Sequence, residues 1–376
     1  MDTNLEDPSF LQDTCGLNVC LKDQTDLADS SSLGGENQDT GLHHLTNDQF
    51  KVQSDEVKGP LIGDHETQES EGGEADLHKY LVGCKKNPGH IQFIPVDTFN
   101  LKHLPEGFQD NDLYELIKVK ADLTVRVSVE MSSPHRPKFY PKTTEPYPFS
   151  NMIERRILRT GSGSVWYVNK FQDGVSQDGR YRLTAYTKCW CRKCKGSNSA
   201  SNVWWEFDVT TATHLVFDVI EANHTTLRLF YDRDDSPEVS VDKVSVLDLN
   251  IDYDLCRLNC VTCDKTLGNK LMGMWEHFKN IREKVLNKYK ESRSQHKLTF
   301  IVSHPHGCSK QVSVGQWKER LEVGDYRSKL TYTTCTCPGS SGAHVYCLGY
   351  GDLTWPELVH SGSFKSGLNY SGVGLV

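Results

Sequence analysis

Long hydrophobic runs are missing from this sequence of 376 residues. No stretch of about 18 uncharged apolar residues occurs, so a spanning helix and a membrane role are not expected. The opening residues, MDTNLEDPSFLQD, are acidic and carry no apolar run. A secretory leader is therefore not expected either, and the chain reads as cytoplasmic. An excess of positive charge is also lacking. The 42 Lys and Arg stand against 50 Asp and Glu, a net −8, which gives no electrostatic reason to expect nucleic acid as a partner. Apolar residues make up only 37% and the mean hydropathy is −0.54, low for a chain folded throughout. Solenoid repeats are absent. The tract Gly161–Ser162–Gly163 lacks the third glycine and the Lys-Ser/Thr ending of a phosphate loop, so nucleotide binding there is rejected. The thirteen cysteines are odd in number. Without a leader they read as reduced thiols or metal ligands, not as a disulfide framework.

The shortage of core-forming residues is concentrated at one end. Residues 1–78 hold 18 Asp and Glu against 3 Lys, and only Phe10 and Phe50 of the 36 aromatics. Such a segment cannot offset its chain entropy, and a disordered acidic tail is expected over 1–78. Any partner of that tail is not legible. An N-terminal extension is expected over 79–150, containing a short helix at 113–119 and a strand at 123–129. It ends in SSPHRPKFYPKTTEPYPF (132–149), whose five prolines suggest a linker or an arm lying over a neighbour.

From about Asn151 the pattern is strand-like. Val203, Trp205, Phe207 and Val209 alternate with Trp204, Glu206 and Asp208, as in a half-buried strand. Further strands are expected at 225–231, 239–249, 298–302 and 329–334. One helix interrupts them at about 267–291. Leu267, Leu271, Met274, Trp275, Phe278, Arg282, Val285 and Tyr289 form its stripe, and packing against a barrel is its expected role.

Three segments carry chemistry together: Thr211–Ala212–Thr213–His214, Asp254–Leu255–Cys256–Arg257–Leu258 and Gly339–Ser340–Ser341–Gly342–Ala343. A His, an Asp and a Ser in that chain order, 40 and 87 residues apart, compare with about 45 and 93 in chymotrypsin. The three segments resemble the histidine, aspartate and nucleophile boxes of trypsin-like serine proteases, with Thr213 where a second alanine is usual. Gly161–Ser162–Gly163 with Val165 resembles the early strand turn of HtrA-like and bacterial members. His304–Pro305–His306–Gly307, followed by Val312–Ser313–Val314–Gly315, resembles their stretch between aspartate and serine.

The resemblance covers about 151–376 and implies an all-β, two-barrel chymotrypsin-like fold with one inserted helix. It implies a serine endopeptidase acting on protein or peptide through an acyl-enzyme. His214, Asp254 and Ser341 would be the triad, and the N–H groups of Gly339 and Ser341 the oxyanion hole. No cofactor is required for that chemistry. Cys335 falls where the floor of the primary pocket should be, and a neutral thiol there argues against Lys or Arg preference. His360 and Ser361 belong to the strand that would pair with substrate. Ser340 stands where zymogen-activated members carry an aspartate for a new N-terminus, so activation by propeptide clipping is not expected. The other readings of the same residues are an inactive protease-like binding module and a zinc-stabilised scaffold.

The cysteines make a second constellation. Cys191 and Cys194 form one CxxC and Cys260 and Cys263 another, a ligand-pair spacing for structural zinc, with Cys189 a spare thiolate. Lys188, Arg192, Lys193 and Lys195 around the first pair favour thiolates.

Overall fold

A computed structural model describes residues 62–177, 184–324, 327–351 and 358–375. Of the acidic tail expected over 1–78, residues 1–61 lie outside the described residues. The described residues belong to one compact unit, and no described helix is long and apolar enough to cross a membrane.

Two curled antiparallel sheets make the body. Its strands are β1 (Asp64–His65), β2 (Gln68–Ser70), β3 (Ile94–Pro95), β4 (Thr124–Val129), β5 (Leu158–Gln172), β6 (Val175–Ser176), β7 (Val203–Thr211), β8 (Thr225–Leu229) and β9 (Val239–Val241). They continue as β10 (Val244–Asn250), β11 (Leu255–Thr262), β12 (Leu298–Ser303), β13 (Gln311–Val323), β14 (Arg327–Tyr332), β15 (Val345–Cys347), β16 (His360–Ser363) and β17 (Asn369–Ser371). The first sheet runs β10-β11-β7-β5-β4-β8-β9, with β2 and β6 on β5. The second runs β1-β16-β17-β14-β13-β12-β15, with β3 on β13.

Two boundaries differ from the sequence reading. Residues 62–78 are not a continuation of the tail. They form β1, β2 and the start of the helix Leu77–Val82. Their few apolar residues are replaced as a stabilising term by backbone pairing to β16 and β5. The body also begins before residue 151, because β4 lies inside the first sheet between β5 and β8. Its valines at 125, 127 and 129 are fully buried. Of the two roles expected for the proline-rich segment, the structure shows the arm, packed on the body. Tyr147 and Phe149 are buried, and Arg136 reaches Glu221 with Nε–Oε1 2.6 Å and Nη2–Oε2 2.7 Å.

β7 departs from its alternating pattern for a reason visible in its neighbours. Trp205, Phe207 and Val209 enter the main core as expected. Trp204, Glu206 and Asp208 are buried as well, because the loop after β6 covers that face. Trp204 stacks on Phe171 at 5.5 Å, and Glu206 accepts the indole N–H groups of Trp190 and Trp204, each at 2.9 Å. The expected 239–249 strand is two strands, β9 and β10.

The interrupting helix spans Lys265–Tyr289 and is capped by Asp264, whose Oδ1 accepts the Leu267 N–H at 2.9 Å. Leu271, Trp275, Phe278, Ile281 and Val285 bury its stripe. Trp166 and Trp275 meet at 5.0 Å between ring centroids. Gly268 lets the helix approach, since a Cβ there would lie 2.1 Å from the Trp205 ring. The second, shorter helix, Asn111–Asp122, packs beside it.

Candidate active site

His214 follows β7, Asp254 precedes β11 and Ser341 lies between β14 and β15, so each sheet contributes to one cleft. The pairing of β7 with β11, which ends at Cys256↔Thr211, brings the first two together. The His214 Nδ1–H faces both Asp254 oxygens, at 2.8 and 3.0 Å, and its backbone N–H donates to Oδ1 at 3.0 Å. On the other side of the ring, Nε2 is 2.8 Å from Ser341 Oγ. With the Nδ1 proton facing the carboxylate, Nε2 is left as the acceptor of a hydrogen bond from the Ser341 hydroxyl.

Burial and partners set the charge of the site. Burial alone would raise the Asp254 carboxyl. The charge and hydrogen bonds of His214, with the Ser361 hydroxyl at 2.5 Å from Oδ2, outweigh it and hold Asp254 below the usual carboxylate range. Ser361, expected at the substrate pocket, has its hydroxyl behind the aspartate. Ser340 hydrogen-bonds Ser303, Oγ to Oγ at 3.1 Å.

The turn at Ser341 depends on glycine. Gly339 has φ +98°, and a Cβ there would sit 2.3 Å from the His304 carbonyl oxygen. The Gly339 and Ser341 N–H groups converge on a single acceptor, the carbonyl oxygen of Glu66, at 2.6 and 3.2 Å. The acidic segment assigned to the tail therefore runs through the cleft, which the sequence reading missed. No periodicity signals it, because β1 and β2 have only two and three residues.

The Glu66 side chain enters the second sheet, where the sequence reading put a neutral pocket. His360 Nε2–H donates to its Oε2 at 2.7 Å, and Lys86 pairs with its Oε1. Burial would raise the Glu66 carboxyl, but the His360 hydrogen bond and the His360 and Lys86 charges lower it to about 2. Burial lowers His360 against the opposing pull of the Glu66 carboxylate, and the Tyr332 hydroxyl at 2.6 Å from Nδ1 orients it. Cys335 lies alongside, its thiol donating to Asn87 Oδ1 at 3.0 Å.

Two clusters have the donor chemistry of a metal site. In the first, Cys189, Cys191, Cys194 and Cys263 hold their sulfurs within 4.8 Å of one another. Cys191–Cys263 and Cys194–Cys263 are 3.6 and 3.7 Å apart, near the edge of about 3.8 Å that a tetrahedral ZnS₄ site requires. The inclusion of Cys260 in this set is overturned, with Cys189 in its place. Cys260 lies within β11 and is fully buried in the main core, whereas Cys263 lies beyond the strand end. An odd spacing along a strand points side chains to opposite faces. The second cluster joins Cys84, His90, His306 and Cys337, four residues too scattered along the chain to carry a pairing signal.

No family model matches the chain, and no curated protein matches it. Among solved structures it is similar to the HtrA-type protease AlgW with a decapeptide, at 12% identity and TM-score 0.34. The match covers 68% of this chain and 62% of that one, so the chain spans less than two thirds of AlgW. It is also similar to the inactive form of the Rv3671c protease, at 10% identity and TM-score 0.30, over 70% of this chain and 90% of that one.

Proposed function

We propose that this chain is a serine endopeptidase that hydrolyses peptide bonds through an acyl-enzyme. The observation that carries the reading is the hydrogen-bonded line from Asp254 through His214 to Ser341, with two backbone N–H groups converging beside the serine. In this reading Ser341 Oγ attacks the substrate carbonyl while His214 Nε2 takes its proton. Asp254 holds the imidazole tautomer and stabilises the imidazolium. The Gly339 and Ser341 N–H groups receive the developing oxyanion, a contribution of about 10²–10³ in rate per donor. His214 then gives its proton to the leaving amine, and water releases the acyl group by the same route.

The same proposal gives the Cys189, Cys191, Cys194 and Cys263 cluster a structural zinc. Four thiolates leave no open position, so the ion would tie the loop after β6 to the end of β11 and take no part in hydrolysis. The backbone N–H groups of Cys191 and Ser201, 3.5 Å from the sulfurs of Cys189 and Cys194, suit thiolate ligands.

The test is hydrolysis of an unfolded protein substrate, with intact mass after a fluorophosphonate. Wild-type protein should hydrolyse the substrate and gain one adduct on Ser341, and Ser341→Ala should do neither. A folded wild-type protein that does neither would establish a binding module instead.

A further inference from the structure

We propose that the cleft selects glutamate on the N-terminal side of the scissile bond, and that the chain's own Glu66–Thr67 bond is its first substrate. This rests on the serine-endopeptidase reading. β1 lies antiparallel on β16, with Asp64 opposite Ser363 and His65 opposite Gly362. The His65 ring packs against Phe149 at 4.8 Å and His214 at 5.7 Å. The Glu66 carbonyl oxygen accepts both convergent N–H groups, and the Glu66 N–H donates to Ser341 Oγ at 3.1 Å. Beyond Thr67 the chain enters β2, where Gln68 pairs with Thr160 of β5. Sheet pairing thus holds the peptide on both sides of Glu66–Thr67, extended past the serine.

The pocket explains why the residue is glutamate. The Glu66 side chain is 3% exposed, and a buried carboxylate demands charge and hydrogen bonds. His360 supplies a donor and Lys86 a cation. Lys86 is itself placed by Asn369 Oδ1 at 2.8 Å and Thr336 Oγ1 at 3.1 Å. A lysine side chain here would meet Lys86, and an apolar one would leave Lys86 and His360 without their partner. A site built around polar partners rejects analogues lacking them far more strongly than an apolar pocket does.

The step balances without a co-reactant other than water. Ser341 Oγ bonds to the Glu66 carbonyl carbon, and the C–N bond to Thr67 breaks. The serine proton passes through His214 to the Thr67 nitrogen, which becomes a free α-amine. Water then adds to the acyl carbon, Ser341 regains its proton, and Glu66 ends as a free carboxylate. Such a cut does not build a site from a new N-terminus, for which Ser340 offers no carboxylate. It empties a cleft that is already assembled.

Purified full-length wild-type and Ser341→Ala proteins distinguish the outcomes by intact mass and N-terminal sequencing. Wild type should convert to a chain beginning at Thr67, and Ser341→Ala should stay whole. Glu66→Ala should slow the conversion at least tenfold. In trans, peptides with Glu before the bond should exceed Gln peptides by about 100-fold in kcat/KM, and Lys86→Met, shown by circular dichroism to be folded, should shrink that ratio. A wild-type protein that labels on Ser341 and cuts other peptides, yet keeps Glu66–Thr67 intact and shows no Glu preference, overturns this inference and leaves the endopeptidase reading standing. Absence of both labelling and hydrolysis removes the two together.

The second cluster independently carries a metal inference, and the geometry assigns a structural zinc to Cys84, His90, His306 and Cys337. Cys84 and Cys337 sulfurs are 3.6 Å apart, and Cys337 Sγ is 3.4 Å from His90 Nε2. Tetrahedral edges of about 3.8 Å for S–S and about 3.6 Å for S–N follow from ordinary zinc bond lengths. His306 Nδ1 is fixed by Gln68 Oε1 at 2.8 Å, while its buried Nε2 has no hydrogen-bond partner. Asn87 donates its backbone N–H to Cys84 Sγ at 3.4 Å and its side-chain amide to Cys337 Sγ at 3.0 Å. An ion here would clamp the Cys84–His90 loop, which carries Lys86, to the segment two residues before Gly339.

Zinc per folded chain is the readout. Wild type should hold two equivalents, one lost in His90→Asn and the other in Cys191→Ser. His90 is the least buried of the four ligands, so His90→Asn is the variant best able to fold, and circular dichroism checks that it has. Zinc content unchanged in folded His90→Asn and in folded Cys84→Ser would overturn the assignment, as would wild-type protein holding no more zinc than Cys84→Ser.

Discussion

Ser361 donates its hydroxyl to Oδ2 of Asp254 at 2.5 Å, the same oxygen that lies 2.8 Å from His214 Nδ1. The aspartate is thus steered from behind. Asp254→Asn should lower kcat about 10⁴-fold, because the amide no longer enforces the productive tautomer. Ser361→Ala should lower it by about tenfold, roughly 1.4 kcal/mol of barrier, with the folded structure retained. Steady-state kinetics on one peptide checks both, and equal losses in the two variants would contradict this division of roles.

Gly339→Ala should cripple turnover while sparing most of the fold. The φ of +98° and the His304 oxygen 2.3 Å from the new Cβ force the turn to shift. An N–H aimed at the oxyanion is then misplaced, at a loss of about 10²-fold or more in kcat. KM should change far less, which a full kinetic profile separates.

The arm should be a large stability element. Glu221 accepts from Arg136 twice, at 2.6 and 2.7 Å, and from the Ser133 and Phe217 N–H groups at 2.9 and 3.0 Å. Arg159 lies 3.1 Å away. Glu221→Ala leaves two buried guanidinium groups without their anion and should cost about 3–5 kcal/mol. Chemical denaturation would register this as a lowered midpoint.

Acid should loosen the cleft segment. Glu66 is held at about 2 against an ordinary 4.5. A depressed carboxyl contributes stability that is complete above 4.5 and lost as the pH falls towards 2. Protonation of Glu66 removes the anion that Lys86 and His360 face. In the uncut Ser341→Ala protein, melting temperature should fall over that window more steeply than in Ser341→Ala/Glu66→Gln. Parallel curves would contradict it.

A chelator should act on stability first. Removing zinc from the Cys189, Cys191, Cys194 and Cys263 cluster should lower the melting temperature, and Cys191→Ser should abolish that sensitivity at this cluster. Cys260→Ser should bind as much zinc as wild type, because Cys260 is a core residue of β11. Metal analysis of the two variants decides between the pairings.

The sequence by itself determined much of the scaffold and the three residues that the fold lines up, Asp254, His214 and Ser341. The stripe around Trp275 and Phe278 and the boxes at His214, Asp254 and Ser341 are local patterns, and local geometry preserves them, whereas the β7 alternation holds only on its core face because its other face is covered too. What only the tertiary structure decided are the meetings of distant segments. Glu66 lies in a run whose acidity reads as tail, yet sheet pairing to β16 and a pocket cation 20 residues away hold it buried. Cys189 replaced Cys260 because strand parity, not spacing in the chain, fixes which face a thiol occupies. Cys84, His90, His306 and Cys337 converge from three separate stretches with no shared motif. Burial and charge pairing depend on what packs opposite, and that is set by the fold.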